Sequence, residues 1–411
     1  MMRRRRVLAA PFLLAAGTVA RVVVVGGGYG GATAARFLRR YDPALDVTLL
    51  EPAAVYTACP FSNLVVAGMR DISAQRFGYD AVRASGVTVV PSAAVAIDAA
   101  RRVVTAADGA AFGYDRLILS PGIDIVWNGL EGYDEAASAR MPHAWKAGEQ
   151  TLLLRRQLDA MEDGGLVVMS VPVNPYRCPP GPYERASLIA AYLKLRKPRS
   201  KILVLDAKDV FSKQKLFQAA WARLYPGMLE WVGPSDGGKV TRVEAGSMRF
   251  ETDFVTHLAS VGTVVPPQRA GAIAAIAGVA DRTGWCPVNP NTFESKLVAG
   301  IHVIGDAAIA GAMPKSAFAA NAQGKLCAAA VVALLRGETA DEARLINTCY
   351  SLAAPGYGFS VAGVYRPVNG VLTDIPGAGG TSPVDAGADQ YAAEAVYAAQ
   401  WFETITAEVF G

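Results

Sequence analysis

Four valines, Val22 to Val25, follow Arg21 and run into Gly26-Gly27-Gly28-Tyr29-Gly30-Gly31. The pattern predicts a buried strand, a glycine turn and a helix continuing to Arg40. A second apolar strand, Asp46-Val47-Thr48-Leu49-Leu50, closes on Glu51. Phe112 to Gly122 predicts another buried strand, ending in a small-residue turn. From Gly300 the chain predicts a strand ending at Gly305-Asp306, then a loop and a helix. Gly164 to Val171 predicts the first strand of a second α/β unit, whose helix starts near Pro182-Tyr183-Glu184. Asp389 to Phe410 predicts a closing helix with Tyr391, Val396, Tyr397, Trp401, Phe402, Ile405 and Val409 as its apolar positions. Strands alternating with helices predict an α/β protein with parallel sheets.

Composition narrows the class. The 411 residues are 52% hydrophobic, with 41 Gly and 24 Pro, which suits an Ala/Gly-rich α/β enzyme and excludes a fibrous or disordered chain. The net charge of +4 comes entirely from Arg3 to Arg6, so the basic balance is no sign of nucleic-acid binding. Those arginines precede an apolar stretch, Val7 to Ala20, that ends in the small triplet Thr18-Val19-Ala20. The segment reads as a twin-arginine-like export signal over residues 1–20, too short for a membrane span. It places the mature protein in the periplasm, without a membrane span, where cysteine pairs persist as disulfides.

Gly26, Gly28 and Gly31 form G-x-G-x-x-G between a strand and a helix. The glycines permit a tight turn, close approach of a pyrophosphate and close helix packing, and the helix offers free N–H groups to the phosphates. Glu51 lies 20 residues beyond Gly31, where an acid binds ribose hydroxyls. The second α/β unit has no such loop. Pro172-Val173-Asn174-Pro175-Tyr176-Arg177-Cys178-Pro179-Pro180 stands in its place. Proline lacks an N–H donor, so this loop is a poor phosphate cradle and electrons do not come from a nicotinamide.

Five cysteines occur: Cys59, Cys178, Cys286, Cys327 and Cys349. Cys59 follows the first βαβ unit and Cys178 sits in the proline loop. Cys327 fits a helical core and Cys286 a structural position. No C-x-x-C pair exists and the three histidines are scattered, which argues against a zinc or haem site in this chain.

The stretches "HAWKAGEQ", "YRCPPGPYERAS", "GWCPVN", "MPKSAFAANAQGK", "NTCYS" and the closing "VFG" resemble the flavoprotein subunit of flavocytochrome c sulfide dehydrogenase. The resemblance runs from about Arg21 to Gly411. It implies two Rossmann-like domains: an FAD domain over residues 21–150 and 265–335, and a degenerate NAD-type domain over 151–264. A C-terminal interface domain covers 336–411. It implies a redox disulfide between Cys178 and Cys349 at the flavin, and a covalent bond from Cys59 to the flavin's 8α-methyl carbon. The context of Cys59 departs from the family: Ala58 and Pro60 flank it where Thr and Tyr are commoner. Asp306 is implied to hold the ribityl chain, with Gly305 and Lys315 of the same stretch at the cofactor. The implied activity is oxidation of sulfide to zero-valent sulfur or polysulfide, with electrons passed to a c-type cytochrome subunit. Two other readings share the flavin and cysteine parts: an accessory flavoprotein of a thiosulfate-oxidising system, and a sulfide:quinone oxidoreductase.

Two assignments stay open in the sequence. Glu184 is either a carboxylate that moves a proton at the sulfur site or a helix-start acid. The region after Arg366 has no Lys or Arg and contains Asp374, Asp385, Asp389, Glu394, Glu403 and Glu408. With its aromatics it forms either an acidic docking rim for a basic cytochrome or a helix packed on the protein's own core.

Overall fold

A computed structural model describes residues 19–411; the export signal read in residues 1–20 falls almost wholly outside the described residues. Five parallel strands form the first sheet, in the order Ile301–Val303, Arg116–Leu119, Arg21–Val25, Asp46–Leu50, Thr88–Val90. The inner strands are short runs rich in Val, Ile or Leu and largely buried on both faces, as a parallel sheet requires, while the edge strand Thr88–Val90 is partly exposed. The strands end in register: Val25 pairs with both Leu50 and Leu119, and Leu119 with Val303. Gly26, Glu51, Ser120 and Ile304 therefore emerge along one carboxyl edge, where open α/β sheets bind ligands.

The helices Tyr29–Tyr41 and Ala317–Leu335 pack on each other over this sheet. A Cβ at Gly324 would lie 2.6 Å from the Gly30 carbonyl oxygen, so the crossing requires glycine. Helix Ala317–Leu335 is long and apolar enough to cross a membrane, but more than half of it is buried in the protein's own core.

The stretch 112–122, read as one strand, is two. Ala111–Gly113 joins an antiparallel sheet with Val103–Ala106, and Arg116–Leu119 joins the parallel sheet. Between them the backbone changes partners: the Tyr114 N–H bonds to Arg102 and the Asp115 N–H to Arg21. The polar break Gly113-Tyr114-Asp115-Arg116 in the stretch marks where the switch falls.

The second sheet has four parallel strands, in the order Leu229–Val232, Lys201–Asp206, Leu166–Val171, Val261–Val264. The proline loop leaves the end of Leu166–Val171 and runs into the helix Gly181–Arg196, with Pro182 in its first turn. Beyond residue 341 an antiparallel hairpin, Leu345–Ala354 with Tyr357–Val368, lies against Gly181–Arg196 and Ala317–Leu335.

The closing helix Ala388–Phe410 resolves the two readings of its aromatics. Tyr391, Ala398, Phe402, Ile405 and Val409 form one buried face. Phe402 packs 4.9 Å from Phe61, and Phe410 stacks on Tyr56 and Phe77 at 5.1 and 5.5 Å. These anchors therefore belong to the protein's own core, and only Val396 and Tyr397 remain largely exposed. Two acids are also turned inward: Glu408 pairs with Lys325 at 2.7 Å, and Glu394 accepts the Ser382 hydroxyl at 2.9 Å.

Candidate functional site

One long cleft runs from the carboxyl edge of the first sheet to the hairpin beyond residue 341. Its first end is the glycine turn. Gly26 takes φ +96°, and a Cβ there would lie 2.3 Å from the Ser120 carbonyl oxygen. Gly26 and Gly28 line the cleft. Gly31 does not reach it; it lets the helix pass over the Gly26 carbonyl. Glu51 accepts the Gly27 N–H at 2.7 Å and the Ala53 N–H at 2.9 Å, which fixes its carboxylate at the rim.

In the middle, Gly305 at φ +73° turns Asp306 into the cleft. Asp306 Oδ1 is buried without a hydrogen-bond partner among the described residues, and Oδ2 lies 4.0 Å from the Arg177 guanidinium. Burial holds the Asp306 carboxyl above the usual carboxylate range, against the nearby charges of Arg177 and Lys315. Tyr29 Oη and Trp145 Nε1, also of the lining residues, are likewise buried without partners. Lys315, read as cofactor-binding, does not line the cleft. Its ammonium donates to the Asp306 and Ala308 carbonyls at 2.7 and 2.8 Å and sits 3.9 Å over the Trp285 ring. It braces the turn from behind, and burial lowers its pKa to about 8.

The far end holds Cys59, Cys178, Cys349 and Glu184 together. All five cysteines are thiols in this structure, with Cys286 and Cys327 in the core. The loop of Cys59 is held by Gln75, whose buried amide donates to the carbonyls of Ala58 and Pro60. Cys178 takes a left-handed φ of +56°, and its N–H donates to the Lys315 carbonyl at 2.9 Å. Burial, reinforced by Glu184, pushes the Cys178 thiol far up. Glu184 accepts the Leu352 N–H at 3.0 Å and the Asn63 amide at 2.8 Å, so it ties helix, hairpin and first domain together. Burial still raises its pKa, against these two donors and the nearby charges of Lys213 and Arg185.

Sequence reasoning missed the shell around these groups. Arg185 is 2% exposed and donates to the carbonyls of His143 and Ala144 and to Asn63 Oδ1. Its one visible signal is an arginine directly after Glu184 at the helix start, ahead of an apolar run. Arg177 bonds to the Trp145 carbonyl. Lys213 reaches Cys349 from a segment that carries no motif, and Asn347 from two residues earlier on the same strand.

His143 makes a measurable consequence of this burial. Its Nδ1 accepts the Trp145 N–H at 2.8 Å, and burial, with the charges of Arg185, Lys146 and Arg177, lowers its pKa to about 3. The folded state thus holds the neutral ring. That stability is present above the unfolded value near 6.5 and is lost as pH falls towards 3, about 2 kcal/mol of it by pH 5. Denaturant unfolding at pH 7.5 and pH 5.0 should show a larger acid loss in the wild type than in His143→Gln. Equal losses would mean the ring is charged when folded.

Three family profiles match this chain. The one described as "Sulfide dehydrogenase [flavocytochrome c] flavoprotein chain, central" matches residues 151–266. "Flavocytochrome c sulphide dehydrogenase, flavin-binding" matches 341–410, and "Pyridine nucleotide-disulphide oxidoreductase" matches 20–152. A stretch of 37 residues, 9% of this chain, is 60% identical to the sulfide dehydrogenase [flavocytochrome c] flavoprotein chain of Chlorobaculum thiosulfatiphilum and covers 77% of that sequence. The chain belongs to the flavocytochrome c sulfide dehydrogenase flavoprotein family. It is also 23% identical over 291 residues to mouse mitochondrial sulfide:quinone oxidoreductase; that match covers 67% of this chain and spans 63% of the relative's length, just under two thirds. Among solved structures, the sulfide:quinone oxidoreductase of Aquifex aeolicus is similar at TM-score 0.74 and 17% identity, over 95% of this chain and 92% of that one. The reductase of the covalent putidaredoxin reductase–putidaredoxin complex is similar at TM-score 0.65 and 17% identity, over 95% and 93%. These likenesses establish the fold, two nucleotide-type domains.

The cleft fits the flavin that this family carries. A glycine turn at a helix N-terminus suits a pyrophosphate, and the orphaned Asp306 oxygen needs a hydroxyl donor of the kind a ribityl chain provides. FAD supplies both, which makes it the cofactor of this cleft.

Proposed function

We propose that this protein oxidises sulfide to zero-valent sulfur or polysulfide through a disulfide between Cys178 and Cys349, and passes the electrons to a c-type cytochrome subunit. The observation that carries this reading is the meeting of Cys178, Cys349 and Glu184 at one end of the flavin cleft. Cys178 and Glu184 come from one stretch and Cys349 from another, distant in the chain, and a proline loop stands where a nicotinamide loop would be.

HS⁻ attacks one sulfur of the disulfide. The S–S bond breaks, a new S–S bond forms to the substrate sulfur, and the other cysteine leaves as thiolate. A second HS⁻ displaces the substrate sulfur as HSS⁻, and the disulfide closes again. In sum, two HS⁻ give HSS⁻, one proton and two electrons. FAD, when bound, supplies the acceptor for those two electrons. Glu184, raised by burial, exchanges the proton at the sulfur site. Arg185 holds Asn63, which in turn orients Glu184. Cys59, in its braced loop at the cleft wall, is the thiol that tethers FAD covalently. The export signal read in residues 1–20 supports a periplasmic site for this reaction.

Anaerobic titration of the oxidised holoprotein with sulfide tests the reading. Bleaching of the flavin band near stoichiometric sulfide is expected. A spectrum that ignores sulfide while dithionite still bleaches it would overturn the reading, in favour of an accessory role in thiosulfate oxidation.

A further inference from the structure

The disulfide reading leaves the two cysteines equivalent, but their surroundings are not. Cys178 lies in the proline loop at the buried start of helix Gly181–Arg196, whose first turn contributes the acid Glu184. Cys349 lies on the hairpin strand Leu345–Ala354, and two donors converge on it. The Asn347 amide donates to Cys349 Sγ at 3.3 Å. Asn347 is 2% exposed and its orientation is set, because its Oδ1 accepts the Ser316 hydroxyl at 2.6 Å. Ser316 is itself pinned as the cap of helix Ala317–Leu335, where it accepts the Ala319 N–H at 3.0 Å.

Lys213 reaches the same strand from the start of helix Gln214–Leu224. Its ammonium donates to the Cys349 carbonyl and to Ser351 Oγ, both at 2.7 Å, and lies 5.7 Å over the Phe359 ring. Both hydrogen-bond acceptors are uncharged, so the cation is not neutralised by either. The acidic groups that act on it are Cys349 on the hairpin, Glu184 and Cys178 at the helix start, and Glu394 on the closing helix. Of these, Glu394 already accepts the Ser382 hydroxyl and Glu184 two N–H groups. Lys213 also holds a left-handed φ of +63°, an uncommon conformation for a residue with a side chain, kept where the surroundings enforce it.

We propose that Lys213 and Asn347 are positioning residues that stabilise the sulfur of Cys349 as an anion, so that Cys349 is the leaving thiolate and Cys178 receives the substrate sulfur. This rests on the disulfide reading above. A disulfide opens fastest when the better-stabilised thiolate leaves. A nearby ammonium and an amide donor both favour the charged form of a thiol. Lys213 and Arg177 act on the Cys178 thiol as well, but burial and Glu184 outweigh them and push it the other way. When HS⁻ opens the bond, the new S–S bond forms at Cys178, the electron pair of the broken bond goes to Cys349, and Lys213 offsets the charge.

The test alkylates the two cysteines in competition. Holoprotein is opened anaerobically, in one arm by a phosphine and in the other by sulfide. Brief iodoacetamide treatment follows, and the labels are mapped by peptide mass. In wild type at pH 7, Cys349 should label about tenfold faster than Cys178, one pKa unit being a factor of ten. The extra sulfur trapped in the sulfide arm should sit on the Cys178 peptide. Lys213→Met and Lys213→Gln should each slow Cys349 labelling about tenfold at pH 7, with wild-type rates regained at pH 10. Lys213→Arg should keep most of the wild-type rate. Unchanged Cys349 labelling in both uncharged variants, or the extra sulfur on Cys349, would overturn the proposal. If sulfide releases no thiol from wild type, the sulfide reading falls; the phosphine arm still decides the role of Lys213.

Discussion

Cys349→Ser is expected to fold, to keep its FAD and to lose reduction of the flavin by sulfide roughly a thousandfold or more, the scale seen when one member of a catalytic unit is removed. Serine is close to cysteine in volume, and the Lys213 contact is to the backbone oxygen of residue 349, so the hairpin keeps its anchor. What disappears is the electrophile. Without a second sulfur there is no S–S bond for HS⁻ to attack and no thiolate to carry two electrons on. Cys178→Ser should fail to the same extent, and the double variant should be no worse than either, because the two sulfurs act as one group. Stopped-flow bleaching at 450 nm, with dithionite as control, measures all three. Sulfide reduction within tenfold of wild type in Cys349→Ser would remove the disulfide from the mechanism.

The parts of this fold that could be read along the chain are those whose physics is local. A valine run, a glycine turn and a helix follow one another within Arg21 to Tyr41, so the turn, the strand and the helix are all visible in one stretch. The face of the closing helix is similarly periodic: Tyr391, Ala398, Phe402, Ile405 and Val409 recur at helical spacing, although the sequence could not say whether a partner or the first domain covers them. The shell of the sulfur site is different. Lys213, Asn63 and Arg185 belong to separate segments that only the fold brings together, although Asn347 stands two residues before Cys349 on the same strand. No spacing along the chain encodes that meeting of segments. Lys315 illustrates the converse. It follows Asp306 closely in sequence, yet it is drawn behind the turn by two carbonyls and the Trp285 ring. Proximity along a loop does not fix the direction of a side chain.

Two glycines of the same turn are expected to fail in different ways. At Gly28 the backbone has φ −73°, open to any residue, and an added Cβ would meet nothing closer than Tyr56 at 3.5 Å, an ordinary contact. The protein itself therefore accommodates Gly28→Ala. The methyl instead points at the cleft, where a pyrophosphate needs close backbone approach. A forced methyl costs about 3 kcal/mol, roughly 100-fold in affinity. At Gly31 an added Cβ would lie 1.8 Å from the Gly26 carbonyl oxygen. That oxygen cannot swing away cheaply, because the Gly26 N–H is bonded to Leu50 at the sheet edge at 2.9 Å. Gly31→Ala must push the helix off the sheet, so it should lower the stability of the FAD-free protein by about 3 kcal/mol and lose the cofactor as a result. Both variants are best made in a Cys59→Ser background, so that a covalent tether cannot mask weakened binding. Flavin-to-protein ratio and denaturant midpoints then separate them: Gly28→Ala empty but stable, Gly31→Ala empty and unstable. Full flavin in Gly28→Ala would place the pyrophosphate away from this turn, and the glycines would then serve helix packing alone.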